Sequence, residues 1–82
     1  MRTHKVVKVE WDDSMSYRGW RDRTDKLKGA ACMSYGILVK AEKGYIGITH
    51  SIGATSNDEI GDTMVISKKV ITKFEVISTF KR

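Results

Sequence analysis

The chain has 82 residues, which is enough for one small domain and too few for two separate hydrophobic cores. Hydrophobic residues make up 40% and charged residues 30% of it, a balance typical of globular rather than disordered proteins. No apolar run reaches the roughly 20 residues of a membrane span, and the single cysteine, Cys32, excludes an internal disulfide. We therefore expect one domain over residues 1–82, with no membrane partner, in a reducing cytoplasm. A core of this size supplies little stability, so we also expect a homo-oligomer.

The net charge of +5 is unevenly distributed. The segment 18–28 carries five basic and two acidic side chains, so it holds most of the excess. Such a basic segment favours anionic partners, namely phosphates, nucleic acid or acidic proteins, although a solubilising surface has the same composition.

Alternating hydrophobic residues predict five strands along the chain. Their expected bounds are His4–Trp11, Ala31–Glu42, Tyr45–Ile52, Asp62–Ser67 and Val70–Thr79. The loop at 15–29, after the first strand, is long for a compact domain, and loops of that length are usually functional or disordered.

Three local features refine this layout. Gly36 is the expected bend in the long second strand, and Gly44 is expected to supply a positive φ in the following turn. His50 is expected on the isoleucine face of the third strand. The loop 53–61 is expected to connect two strands, although its glycines would also let backbone approach a phosphate.

Only Lys68-Lys69 separates the fourth strand from the fifth, so these two strands run nearly end to end. This arrangement predicts an all-β fold, a small and strongly bent five-stranded antiparallel barrel with a long loop after strand 1. Closure would remove the exposed edges that an open sheet carries. The alternative is an open antiparallel sheet that is closed by dimerisation.

Several short motifs resemble a group of small bacteriophage-encoded proteins. The motifs are V-K-V-E-W-D-D-S at 7–14, Gly19-Trp20, C-M-S-Y-G-I-L-V at 32–39 and the closing run V-I-S-K-K-V-I-T-K-F at 65–74. Ser67 stands where such proteins often have proline, so the last turn departs from the pattern. The group is similar in plan to Sm-like and Src-homology-3-like small barrels, and Sm-like barrels form rings that bind single-stranded RNA.

The resemblance implies a viral protein that acts in the cytoplasm of a host bacterium. Some phage proteins counter host immunity by sequestering nucleotide signals, so we expect a non-catalytic protein that binds a small nucleotide-like anion. Two alternatives remain open at this point. One is an Sm-like module for RNA or single-stranded DNA, and the other is a protein-interaction or inhibitor module.

Trp20 is the most informative candidate for ligand binding, because it lies in a polar loop among Arg18, Arg21 and Arg23, with Tyr17 nearby. An exposed aromatic ring can stack on a base while the guanidinium groups bind phosphate. The structural alternative is that Trp20 folds back and closes the open end of a barrel, and a third is that it contacts a partner protein. The residues expected to bind the ligand are Trp11, Asp13, Ser14, Tyr17, Arg18, Trp20, Arg21, Arg23 and Ser34.

Two of these expectations have structural alternatives. Trp11 also fits a core position at the end of the first strand, and the acidic run before Ser14 also fits a turn.

The sequence gives little support to catalysis. There is no Walker loop, nucleophile elbow or Rossmann glycine fingerprint. His50 and Ser51 are neighbours, so in a strand their side chains would point to opposite faces. His4, His50 and Cys32 have no metal-ligand spacing. We therefore expect no catalytic residue, no metal and no cofactor.

Overall fold

The computed structural model describes residues 2–13 and 30–82 of the chain. These residues form five strands and one turn of 3-10 helix. The elements are β1 (Thr3–Asp13), β2 (Ala30–Ala41), β3 (Tyr45–Thr49), β4 (Thr63–Ser67), the turn η1 (Lys68–Val70) and β5 (Ile71–Lys81). The strands form a single antiparallel sheet in the order β4-β3-β2-β1-β5. The predicted all-β class and the five predicted strands are confirmed.

Strand β1 is fourth in this order and pairs with β2 on one side and with the edge strand β5 on the other. Residues that are register partners share a face of a sheet. Val7 and Val9, both fully buried, therefore define the inner face. Lys8 lies on the outer face, where its ammonium is 3.5 Å from the Glu75 carboxylate of β5. The alternation seen in the sequence of β1 thus separates core from surface.

Strand β2 changes partner half-way along its length. Its first half pairs with β1 and its second half with β3, and Ile37 pairs with both strands. The preceding residue, Gly36, is buried against β3, and a Cβ added there would lie 3.0 Å from the carbonyl oxygen of Thr49 and 3.1 Å from Ile48 Cβ. A glycine is therefore required at this position for the close approach of the strands.

The connection between β4 and β5 requires the sheet to curl. These strands occupy opposite edges, and a flat five-stranded sheet would hold them about 19 Å apart. Only η1 joins them, and the four residue steps from Ser67 to Ile71 span at most about 14 Å. Met64 of β4 also approaches Ser34 of β2, with Sδ 3.7 Å from Oγ. The sheet therefore bends round its inner face.

The two edges of the curled sheet are not hydrogen-bonded to each other within residues 2–13 and 30–82. In the same segments the buried hydrophobic core consists of a few aliphatic side chains, with Trp11, Leu38, Val70 and Ile71 packed against them. The core residues are Val7, Val9, Ile46, Ile48 and Ile66. The inner face is therefore small and is open along the side between β4 and β5.

Two local predictions are wrong. Strand β3 ends at Thr49, so His50 lies beyond the strand, exposed, and does not share the isoleucine face. Gly44 lies in the turn between β2 and β3, but its φ is outside the left-handed region and a Cβ there would meet nothing within 4 Å. Its carbonyl instead accepts a hydrogen bond from the backbone N–H of Lys68, at 3.0 Å.

Candidate functional site

Two of the predicted ligand-binding residues, Trp11 and Ser34, are in contact on the inner face. The indole Nε1 of Trp11 donates a hydrogen bond to Ser34 Oγ at 3.0 Å, across the β1–β2 pair. Trp11 is half-buried and packs against the core. The structure therefore agrees with the core position that the sequence allowed for Trp11. The hydrogen bond to Ser34 fixes the orientation of the ring.

Asp13 lies at the end of β1, two residues beyond Trp11. It is exposed, and its register partner is Ala30, the first residue of β2. Because Asp13 and Ala30 are register partners, residues 13 and 30 lie side by side at the end of the sheet that carries Trp11. We call this end of the sheet, defined by Trp11, Asp13 and Ser34, the Trp11 site.

The remaining predicted ligand-binding residues lie outside the residues that the structure describes. They are Ser14, Tyr17, Arg18, Trp20, Arg21 and Arg23. They belong to the segment that joins Asp13 to Ala30, which by its sequence carries the basic excess of the chain.

An apolar groove of about 360 Å³ lies on the open side of the inner face. Its walls include Leu38, Ile46, Ile71 and Phe74, and Lys68 provides the positive charge at its edge. Ile71 is the register partner of Trp11, so the groove begins beside the Trp11 site.

The described residues show no arrangement typical of a metal centre: within 2–13 and 30–82, no three His, Cys, Asp or Glu side chains are grouped to hold an ion. Over the same residues, no helix is long and apolar enough to cross a membrane.

Comparisons of this chain with known protein families, with curated proteins and with solved structures gave no significant match.

Sequence reasoning missed a second cavity, at the opposite end of β1. It lies between the outer face of β1 and the loop that follows β3, and it includes the buried side chain of His4. The only signal in the sequence was that His4 belongs to the alternating pattern of β1. That pattern does not show which residues of the loop after β3 cover the histidine.

Proposed function

We propose that this protein is a non-catalytic binding protein for a small nucleotide-like anion, and that the Trp11 site is where the ligand binds. The observation that carries the proposal is the pairing of Asp13 with Ala30. This pairing places residues 13 and 30 side by side near the half-buried Trp11, and the basic, tryptophan-containing segment lies between them in the sequence.

The chemistry of this end of the chain suits such a ligand. Arginine binds phosphate through two parallel hydrogen bonds, and indole rings stack on bases. The segment 18–28 supplies the arginines and Trp20, and the Trp11 ring is already held by Ser34. A ligand sequestered without turnover would suit a bacteriophage protein that removes a nucleotide signal in the host cytoplasm.

We further propose that the protein acts as a homo-oligomer assembled through β5. One side of β5 pairs with β1, and no other described strand pairs with the opposite side. Its exposed side chains include Phe74, which is 42% exposed, and Ile77, which is 49% exposed. Natural edge strands often carry a proline, which prevents pairing with another chain, and β5 contains none.

Charge complementarity favours pairing of β5 with β5 of a second copy. An antiparallel pairing centred on Phe74 sets Lys73 opposite Glu75 of the other copy on both sides of the centre. Opposite charges at directly facing positions stabilise a strand pair, whereas like charges destabilise it.

The alternative function is an Sm-like module that binds single-stranded nucleic acid. The specific observation in its favour is the strand order β4-β3-β2-β1-β5 with a single 3-10 turn joining the two edge strands. We propose that the curled sheet is a partly open barrel of the Sm-like and Src-homology-3-like plan. A nucleic-acid function would show an affinity that rises with oligonucleotide length and falls steeply with salt.

A thermal-shift screen of mononucleotides, cyclic nucleotides and nucleotide sugars, followed by calorimetry, tests the proposal. A ligand at about 100 times its dissociation constant adds roughly 2.7 kcal/mol to the free energy of unfolding. Trp20→Ala and Arg21→Ala should abolish binding and leave the fold intact. Lys43→Ala, in the turn between β2 and β3, removes the same charge elsewhere and should retain binding.

Three outcomes would contradict the proposed function. Failure of every small nucleotide to bind more tightly than about 100 μM would exclude a sequestering role. Unfolding of Trp20→Ala would mean that Trp20 is a structural residue. Binding restricted to long oligonucleotides would favour the nucleic-acid alternative.

A further inference from the structure

Three side chains form a series of hydrogen bonds across the inner face of the sheet. Trp11 Nε1 donates to Ser34 Oγ at 3.0 Å, and the Ser34 hydroxyl donates to Met64 Sδ at 3.7 Å. Met64 is on the inner face of β4, since its register partner is the core residue Ile48. This series, which we call the Trp11–Ser34–Met64 relay, therefore joins β1 to β4 through β2.

The direction of both hydrogen bonds is fixed by the chemistry of the two end groups. An indole Nε1–H only donates and a thioether sulfur only accepts, so Ser34 must accept from Trp11 and donate to Met64. A hydroxyl that donates to a better acceptor becomes a better acceptor itself, because successive hydrogen bonds polarise one another. The acceptor strength of the Met64 side chain therefore influences the hydrogen bond that orients Trp11.

Oxidation of Met64 would replace a weak acceptor by a stronger one. A thioether sulfur accepts hydrogen bonds weakly, whereas methionine sulfoxide is a polar side chain with an S=O oxygen. Because Sδ lies 3.7 Å from Ser34 Oγ, a sulfoxide oxygen turned towards the hydroxyl would approach it to about 2.7 Å, the usual O–H···O distance. Ser34 is thus placed to donate to the oxidised side chain.

Met64 is also open to a dissolved oxidant. It is 40% exposed on the edge strand β4, which borders the open side of the inner face. A second methionine offers a comparison on the outer face. Met33 is 52% exposed, and its Sδ accepts from the Tyr35 hydroxyl at 3.2 Å. Its sulfur is thus hydrogen-bonded and exposed like that of Met64, but on the face of β2 opposite to Trp11.

We propose that Met64 is an oxidation site whose sulfoxide strengthens the hydrogen bond from Trp11 to Ser34. The oxidant is a peroxide. With hydrogen peroxide, the sulfur lone pair attacks one oxygen, the O–O bond breaks and hydroxide leaves. The proton of the new S–OH group passes to that hydroxide, so the products are the sulfoxide and water.

This oxidation is reversible, because methionine sulfoxide reductases restore the thioether. The relay can therefore alternate between a weakly and a strongly hydrogen-bonded state as the supply of peroxide changes. The inference does not depend on the ligand proposed for the Trp11 site, since the group that responds is the Trp11 indole itself.

The proposal is tested by treating the ¹⁵N-labelled protein with hydrogen peroxide and then with dithiothreitol, which reduces sulfenic acid or disulfide at Cys32 and leaves sulfoxides. Peptide mass mapping measures the oxygen gained at each methionine. The indole Nε1–H signal of Trp11, assigned with Trp11→Phe, reports the hydrogen bond. We expect Met64 to gain one oxygen and the Trp11 signal to move downfield with the same time course. Methionine sulfoxide reductases A and B together should return the signal to its first position.

Two variants separate the relay from other effects of peroxide. Met64→Leu removes the sulfur and Ser34→Ala interrupts the relay, so in both the Trp11 signal should not respond to peroxide. Met33→Leu is the matched control, because it removes a sulfur from the outer face, and it should respond as the unaltered protein does.

The proposal is overturned if Met64 gains no oxygen, or if it is oxidised and the Trp11 signal stays in place. It is also overturned if either Met64→Leu or Ser34→Ala keeps the full response. Loss of the folded spectrum on oxidation of Met64 would likewise overturn it, because the sulfoxide would then disrupt the inner face instead of accepting from Ser34.

Discussion

The buried hydroxyl of Thr49 donates a hydrogen bond to the carbonyl oxygen of Gly61, with only 2.6 Å between the two oxygen atoms. Thr49 is the last residue of β3 and is 0% exposed, and the backbone N–H of Ser51 approaches its Oγ1 at 3.4 Å. This side chain therefore joins the two ends of the loop 51–61 to each other.

Replacing Thr49 by valine keeps the shape and removes the hydroxyl. We expect the free energy of unfolding to fall by about 0.5–1.5 kcal/mol, the usual net contribution of a hydrogen bond, because valine cannot donate to the Gly61 carbonyl. Thr63→Val is the matched control, because Thr63 Oγ1 donates to the same Gly61 carbonyl at 3.0 Å but is exposed. Urea unfolding of both variants measures the difference, and equal losses would contradict this role of Thr49.

The close contact at Gly36 gives a second prediction. Gly36→Ala places a methyl group against the Thr49 carbonyl and Ile48, neither of which can move without shifting β3, so we expect a loss of about 1–3 kcal/mol. Gly44→Ala meets open space and should change stability by less than about 0.5 kcal/mol. Thermal unfolding distinguishes the two, because 1 kcal/mol corresponds to roughly 4–8 °C in a domain of this size.

The hydrogen bond between Trp11 and Ser34 gives a third prediction. Trp11→Phe and Ser34→Ala each remove one partner, and the double variant should cost less than the sum of the single ones. We expect a coupling of about 0.5–1.5 kcal/mol from a double-mutant cycle in urea. A coupling near zero would mean that the 3.0 Å contact does not hold the ring in solution.

Self-association through β5 gives a fourth prediction. Ile77→Lys introduces a charge on the exposed strand and should convert the oligomer to monomer, as judged by light scattering during gel filtration. Val65→Lys, on β4 at the opposite edge, replaces a side chain that is 65% exposed and should leave a β5-to-β5 assembly intact. Dissociation by both substitutions would instead indicate that β5 pairs with β4 of the next copy.

The strand layout was predictable because β1, β3 and β5 carry the alternation that a half-buried strand needs. The apolar content of a strand's two faces was a less reliable guide to which face is buried. On β2 the more apolar face, with Met33 and Tyr35, is the outer one, and both residues are about half exposed (52% and 50%). The inner face carries Cys32, Ser34 and Gly36, because a curled sheet leaves little room opposite Val7, Val9 and Trp11.

The candidate sites were predictable only in part. The contact of Trp11 with Ser34 follows from the pairing of β1 with β2, which the sequence indicated through the two strands and the loop between them. The His4 cleft depends on where residues 51–61 lie relative to β1, and no local pattern encodes that placement. Two residues that line this cavity, His4 and Asn57, are more than fifty positions apart in the chain.

The strand order has a consequence for synthesis on the ribosome. β1 lies between β2 and β5 in the sheet, but β5 is made about seventy residues later, which at 5–20 residues per second is roughly 4–14 s. Until then the backbone groups of β1 that face β5 have no partner, and Val7 and Val9 lack part of their covering. Translation that pauses before β5 would leave this apolar strand open to other nascent chains, so the yield of soluble protein should depend on the codons of residues 63–81.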